Sequence, residues 1–197
     1  MDRYALKLLL VLTVVLVFAF SAEAVNLKLI DFDSGRVNDF GGGIGSWDRD
    51  PADTTQGCVE VLDTEVTHGK KGASLRLEYD VDSPNPAYNG FWTKLEGKDL
   101  SDYNAFVFWV KGDPDVGYTT RFKIELKNEQ GELGRFIVTG VSDKWTEVVV
   151  PFEDFKGIGD FSNMSEFVIV FDDVVATDKE GVIYIDDIAF TTEKKLR

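Results

Sequence analysis

Leu75, Leu77, Tyr79 and Val81 alternate with Ser74, Arg76, Glu78 and Asp80, so a strand through residues 73–81 turns one apolar face inward and one polar face to water. Alternating or β-branched runs of this kind recur along the chain, each bounded by Gly, Pro, Asn or Asp. The candidates are 27–33, 59–66, 73–81, 90–95, 105–111, 120–127, 134–141, 146–150, 166–171 and 182–190. Nowhere beyond residue 24 does apolar spacing at i, i+3, i+4 and i+7 persist over three turns, so no long amphipathic helix is expected. The segment 151–155, PFEDF, predicts one short helical turn, with Pro151 where a missing N–H costs little. Many short strands without crossover helices define an all-β domain, an antiparallel β-sandwich or jelly roll of about ten strands.

The N-terminus reads differently. Arg3 and Lys7 precede a mostly apolar run, residues 8–20, followed by small residues ending in Ala22-Glu23-Ala24. This predicts a secretory signal peptide over residues 1–24, because the run falls short of the roughly 20 residues that span a bilayer. Residues 25–197 then form a single domain placed outside the cytoplasm, secreted or periplasmic, with no membrane insertion after cleavage. The net charge of −14 argues against nucleic acid or an anionic membrane as partner, since both reward positive charge. Cys58 is the only cysteine, so no intramolecular disulfide can form, and a packed, unreactive thiol is expected.

Catalytic signatures are thin. His68 is the single histidine, which excludes multi-histidine metal centres, and its polar turn THGKKG predicts a solvated side chain. G-x-S-x-G, P-loop and H-E-x-x-H motifs are absent. A glycosidase needs only two carboxylates, but among so many acids none stands out, and no catalytic residue is assigned. The acids at the two ends have more to say. Asp31 and Asp33 lie on the first strand and Asp186 and Asp187 on the last, so paired termini would bring oxygen ligands together for a hard cation such as Ca²⁺. The turn 68–74 could add carbonyl oxygens; ordinary strand-end acids facing water are the alternative. Asp31-x-Asp33-x-Gly35 imitates the start of an EF-hand loop, but Gly42 stands where the bidentate Glu belongs and no helices flank it.

Two long loops, 34–57 and 82–90, stand out, and long loops in compact domains tend to carry function. Sugar rings present apolar C–H faces rimmed by hydroxyls, so their sites combine stacking aromatics with planar polar partners. Trp47, Tyr88, Trp92 and Tyr118, in or beside loops, are the stacking candidates, and Arg121 and Arg135 the polar ones. Trp109 shares a face with Lys111 and would join the polar side of the strand 120–127 if the two adjoin; the alternative is a second apolar layer. Trp145, which opens WTEVVVPF, is expected in the core.

LIDFD, HGKKGASLRLEYD, AYNGFW, DLSDYNAFVFWVKGD, RFKIELK, DKWTEVVVPFEDF and GVIYIDDIAF occur in that order over residues 28–190. In these segments the chain resembles the galactose-binding-like jelly rolls, in particular the family 11 carbohydrate-binding modules. A fainter likeness, through NDFGGGIGSW, is to complex I intermediate-associated protein 30 domains. The resemblance implies a structural Ca²⁺ between the first and last strands, held by Asp33, Asp186 and backbone oxygens of the Lys70 to Gly72 turn. It also implies binding of an oligo- or polysaccharide on a concave sheet face and its loops. Such modules accompany catalytic domains, so a polysaccharide-degrading enzyme is the protein partner they imply. The expected function is non-catalytic carbohydrate binding; the rivals are a protein-interaction module of the cell envelope and a small polysaccharide-active enzyme.

Overall fold

The computed structural model describes residues 25–193, so the predicted signal peptide lies outside the described residues. Eleven strands run β1 (Asn26–Ile30), β2 (Ile44–Asp48), β3 (Gly57–Asp63), β4 (Ser74–Asp80), β5 (Tyr88–Lys98), β6 (Ala105–Gly112), β7 (Arg121–Asn128), β8 (Leu133–Thr139), β9 (Thr146–Pro151), β10 (Met164–Asp172) and β11 (Glu180–Thr191). All pairings are antiparallel, in two sheets. One has the order β3-β4-β11-β6-β9, with β1 also on β11; the other has the order β2-β5-β10-β7-β8. The predicted helical turn is a single 3-10 turn, Phe152–Asp154, entered through Pro151.

The terminal strands pair as the acidic ends implied, Asn26 with Thr191 and Ile30 with Ile188. β4 and β1 share one edge of β11, β4 along Glu180 to Ile185 and β1 from Ile188 onward. The gap between them falls at Asp186 and Asp187, where β11 bulges away from β6 and Asp187 takes a positive φ of 49°.

The core is the space between the sheets. Leu75, Leu77 and Tyr79 of β4 are buried, as the alternation required, and face Phe91, Phe122, Phe167 and Phe171 of the other sheet. Tyr79 stacks on Phe171 at 4.1 Å between ring centroids, and Phe106 meets Phe167 at 4.5 Å. Each such ring contributes about 1.5–3 kcal/mol by leaving water. None of the four tryptophans belongs to this core; an indole needs a partner for its N–H that an apolar interior does not offer. Cys58 is buried, and desolvation together with the charges of Asp48, Glu60 and Glu78 pushes its thiol far above the usual range.

One strand departs from the sequence expectation. Residues 44–48 sit inside the stretch expected to be loop, yet form β2 at the edge of the second sheet. Asn38 anchors the approach: its Oδ1 accepts from the amides of Phe40 and Gly42, while its Nδ2 donates to Thr93 Oγ1 and the Lys94 carbonyl. Glycines hide this strand from pattern reading, because they lower strand propensity while allowing the close approach.

Candidate functional site

The outward face of the five-stranded sheet combines aromatic and charged residues. β2 contributes Trp47 and β5 contributes Tyr88 and Trp92, because residues at alternate positions share a face. Trp47 stands opposite Gly90 and Trp92 opposite Gly45. A Cβ on Gly45 would lie 2.8 Å from the Trp92 ring, so glycine is what lets the indole rest against β2. Trp47 and Tyr88 tilt together at 5.8 Å, and Arg49 covers Tyr88 at 5.2 Å.

Beside the indoles runs a row of charge. Glu166 on β10 accepts from Lys94 of β5 at 2.7 Å and from Lys127 of β7 at 2.6 Å, one lysine per carboxylate oxygen. Burial pushes its carboxyl up, but the hydrogen bonds from Lys127 and Lys94 outweigh burial and hold it below the usual carboxylate range. Asp172 behaves alike: burial raises it, while Lys123 at 2.5 Å and the amides of Val175 and Val174 bring it down. Arg135 on β8 donates to Glu125 on β7 at 3.1 Å.

Between the indoles and this row lies a groove of about 290 Å³, lined by Trp47, Trp92, Val168, Glu125, Lys127 and Glu166. Trp47 Nε1 is buried and has no hydrogen-bond partner among the described residues. A buried N–H without an acceptor carries a desolvation penalty of about 1–3 kcal/mol, which a ligand oxygen would relieve.

Of the residues proposed from sequence, Trp47, Tyr88 and Trp92 gather at one side of this face. Arg135, paired with Glu125, lies across it, and Arg121 sits exposed at the start of β7 opposite Thr139. Tyr118 does not join them; it packs on Gly112 of the other sheet, where a Cβ would come within 2.2 Å of its ring. The supposed platform of Trp109 with the strand 120–127 does not form, because the two strands belong to different sheets. Lys94, Glu166 and Val168 escaped sequence reasoning, since the order β5-β10-β7 joins segments distant in the chain.

Trp145 is not core either. It flanks His68 at 5.6 Å on the outside of the six-stranded sheet, while Trp109 stacks on the imidazole at 3.9 Å. His68 is therefore not a solvated turn residue: the indole covers one face of its ring and its Nδ1 meets Asp187 Oδ2 at 2.7 Å.

This histidine belongs to the junction of β1, β4 and β11. Asp33, just past β1, accepts the Ala73 amide at 2.8 Å and lies so close to Gly72 that a Cβ there would meet its Oδ1 at 1.8 Å. Gly72 also holds φ +108°, a conformation that side chains disfavour. Asp186 is 3% exposed and accepts the amides of His68 and Asp187. Burial, reinforced by the neighbouring Asp187 charge and opposed by those amide bonds, raises its carboxyl to about 6. A buried carboxylate next to another acid and with no Lys or Arg ion pair suits a hard cation. No group of three or more His, Cys, Asp or Glu side chains able to hold a metal occurs among the described residues, so further ligands would have to be carbonyls or water. Lys70 and Gly72 lie in the turn that meets Asp33.

In solved structures the fold matches a family 11 carbohydrate-binding module from a cellulosomal cellulase of Clostridium thermocellum, at 20% identity and TM-score 0.61 over 84% of this chain and 94% of that one. A family 11 module from Clostridium thermocellum in complex with a β-1,3-1,4-mixed-linked tetrasaccharide gives 20% identity and TM-score 0.62, with 84% and 94% covered. A family 29 module complexed with cellulohexaose gives 13% identity and TM-score 0.52, with 86% and 92% covered. No curated protein sequence matches the chain. The sequence profile described as carbohydrate binding domain 30 matches residues 32–192, from just past β1 to just past the end of β11. The chain therefore belongs to the carbohydrate binding domain 30 family.

Proposed function

We propose that this module is exported and binds an oligo- or polysaccharide along the groove between Trp47, Trp92 and the Lys94–Glu166–Lys127 row, without catalysing its cleavage. The observation that carries this reading is the groove walled by the Trp47 and Trp92 indoles, with the Trp47 N–H buried and unpartnered. The aromatic side supplies flat apolar surface for C–H faces of a sugar, and the row supplies charged groups already held in place by one another. Prior pairing means that little side-chain entropy is lost on binding.

Absence of catalysis is supported by the state of the acids on this face. A glycosidase requires one carboxyl held protonated as general acid. Glu166 and Asp172 are instead locked as anions by lysines. Among the described carboxyls, the one raised to about 6, Asp186, belongs to the other sheet. The natural partner of such a module is a polysaccharide-degrading enzyme acting on the same polymer.

For the junction of β1, β4 and β11 we propose a structural Ca²⁺ held by Asp33, Asp186 and carbonyl oxygens of Lys70 and Gly72. A bound cation would neutralise the buried Asp186 carboxylate and tie the chain ends together.

The test is calorimetry or affinity electrophoresis against β-glucans, xylans and mannans. Saturable binding to at least one polymer, weakened at least tenfold in Trp92→Ala, is expected. A folded protein that binds none of a broad panel contradicts the reading.

A further inference from the structure

On the outer face of the six-stranded sheet, a second cavity of about 330 Å³, sharing no lining residue with the groove, opens at the end where β3 and β11 begin and β4 finishes. Gly57, Asp80 and Glu180 stand in one cross-strand row, and Val59, Glu78 and Val182 in the next row on that face. Asp80 thus faces Glu180 directly, a pairing of like charges that weakens a sheet unless something lies between. Among the described residues, Arg76 donates to Glu78 of the next row. Neither Asp80 nor Glu180 has an ion-pair partner among them.

A second, independent feature lies in the same cavity. Gln56 lines it and is only 8% exposed. Its Nε2 donates to Asp53 Oδ2 at 2.9 Å, and a carboxylate can only accept, so the direction of the amide is fixed. Asp53 is itself held by the Thr55 amide and hydroxyl and by Asn85 Nδ2, so the anchor is rigid. The leftover Gln56 Oε1 is a buried acceptor without a partner. Gln56 Oε1, Asp80 and Glu180 therefore offer acceptors and negative charge, while Val59 and Val116, at 57% and 59% exposure, add apolar walls.

The geometry points to a binding site for a protonated primary amine carried on an aliphatic or sugar frame, with its N–H donors shared among Gln56 Oε1, Asp80 and Glu180 and its carbon atoms against the two valines. Three donors on one ammonium match this acceptor set, and its positive charge between the two carboxylates relieves their repulsion.

The probes are Nα-acetyl-lysine methylamide and, separately, glucosamine, titrated into the ¹⁵N-labelled protein. Either amine should shift the amide signals of Gln56, Gly57, Asp80 and Gly181 saturably, and the stronger of the two identifies a peptide lysine or an amino sugar as the source. The neutral Nα,Nε-diacetyl-lysine methylamide should leave those signals in place. Glu180→Gln and, independently, Gln56→Leu should weaken amine binding at least tenfold while polysaccharide affinity at the groove stays the same. Absence of saturable shifts with both amines, equal shifts with the acetylated control, or Ca²⁺ moving the same signals in preference to the amines would each overturn the proposal.

Discussion

The Trp92 indole rests where a Cβ on Gly45 would stand, 2.8 Å from its ring. The stacking surface of the groove therefore depends on the absence of a side chain on the neighbouring strand. Gly45→Ala should tilt the indole and reduce polysaccharide affinity about three- to tenfold, up to about 1.4 kcal/mol. Isothermal calorimetry reads this directly. Unchanged affinity with an unshifted tryptophan emission spectrum would show that the indole does not need the gap.

Glu166 is the hub of the charged row. Glu166→Gln leaves Lys94 and Lys127 without their shared anion and should lower stability by about 1–2 kcal/mol at pH 7. Because the folded carboxyl titrates below its ordinary value, its contribution is complete above pH ~4.3 and is lost as pH falls through the lower folded value. Urea unfolding of both proteins at pH 7 and near pH 2.5 tests the sign: the gap between them should narrow in acid. A gap that persists would assign the loss to packing.

Asp186 titrates in the opposite sense. With its folded carboxyl raised to about 6, the protein in chelator should gain stability as pH falls from 7 through 6, by on the order of 2 kcal/mol once pH nears 4. Thermal melts in chelator across this range, compared at fixed ionic strength, give the answer. A melting temperature flat between pH 7 and 5 would mean that Asp186 is solvated or otherwise compensated.

Addition of Ca²⁺ at pH 7 should raise the melting temperature, by about 2.7 kcal/mol of stabilisation at a hundredfold excess over Kd. Asp33→Ala should abolish the response. A calcium response that survives Asp33→Ala would place the ion elsewhere.

Much of the fold could be read before the structure. The alternation around Leu75, Leu77 and Tyr79 specifies which face of β4 is core, and the acids at both ends foretell the pairing of β1 with β11. What could not be read follows from two physical causes. Pattern analysis sees one strand at a time, whereas Lys94, Glu166 and Lys127 meet only through the non-sequential order β5-β10-β7. Residue type also says little about what a surface aromatic packs on. Tyr118 serves as a lid on Gly112, and Trp145 joins Trp109 around His68 instead of entering the core. The glycines of residues 41–45 suggested a loop, yet Gly45 belongs to the strand that carries Trp47.

The most direct test of carbohydrate recognition at the five-stranded face is to compare the affinity of Trp47→Ala, Trp92→Ala and Trp145→Ala for one soluble polysaccharide by calorimetry. The groove predicts losses of at least tenfold in the first two and wild-type affinity in the third, whose side chain lies on the opposite sheet. Wild-type affinity in both Trp47→Ala and Trp92→Ala, with loss in Trp145→Ala, would contradict it.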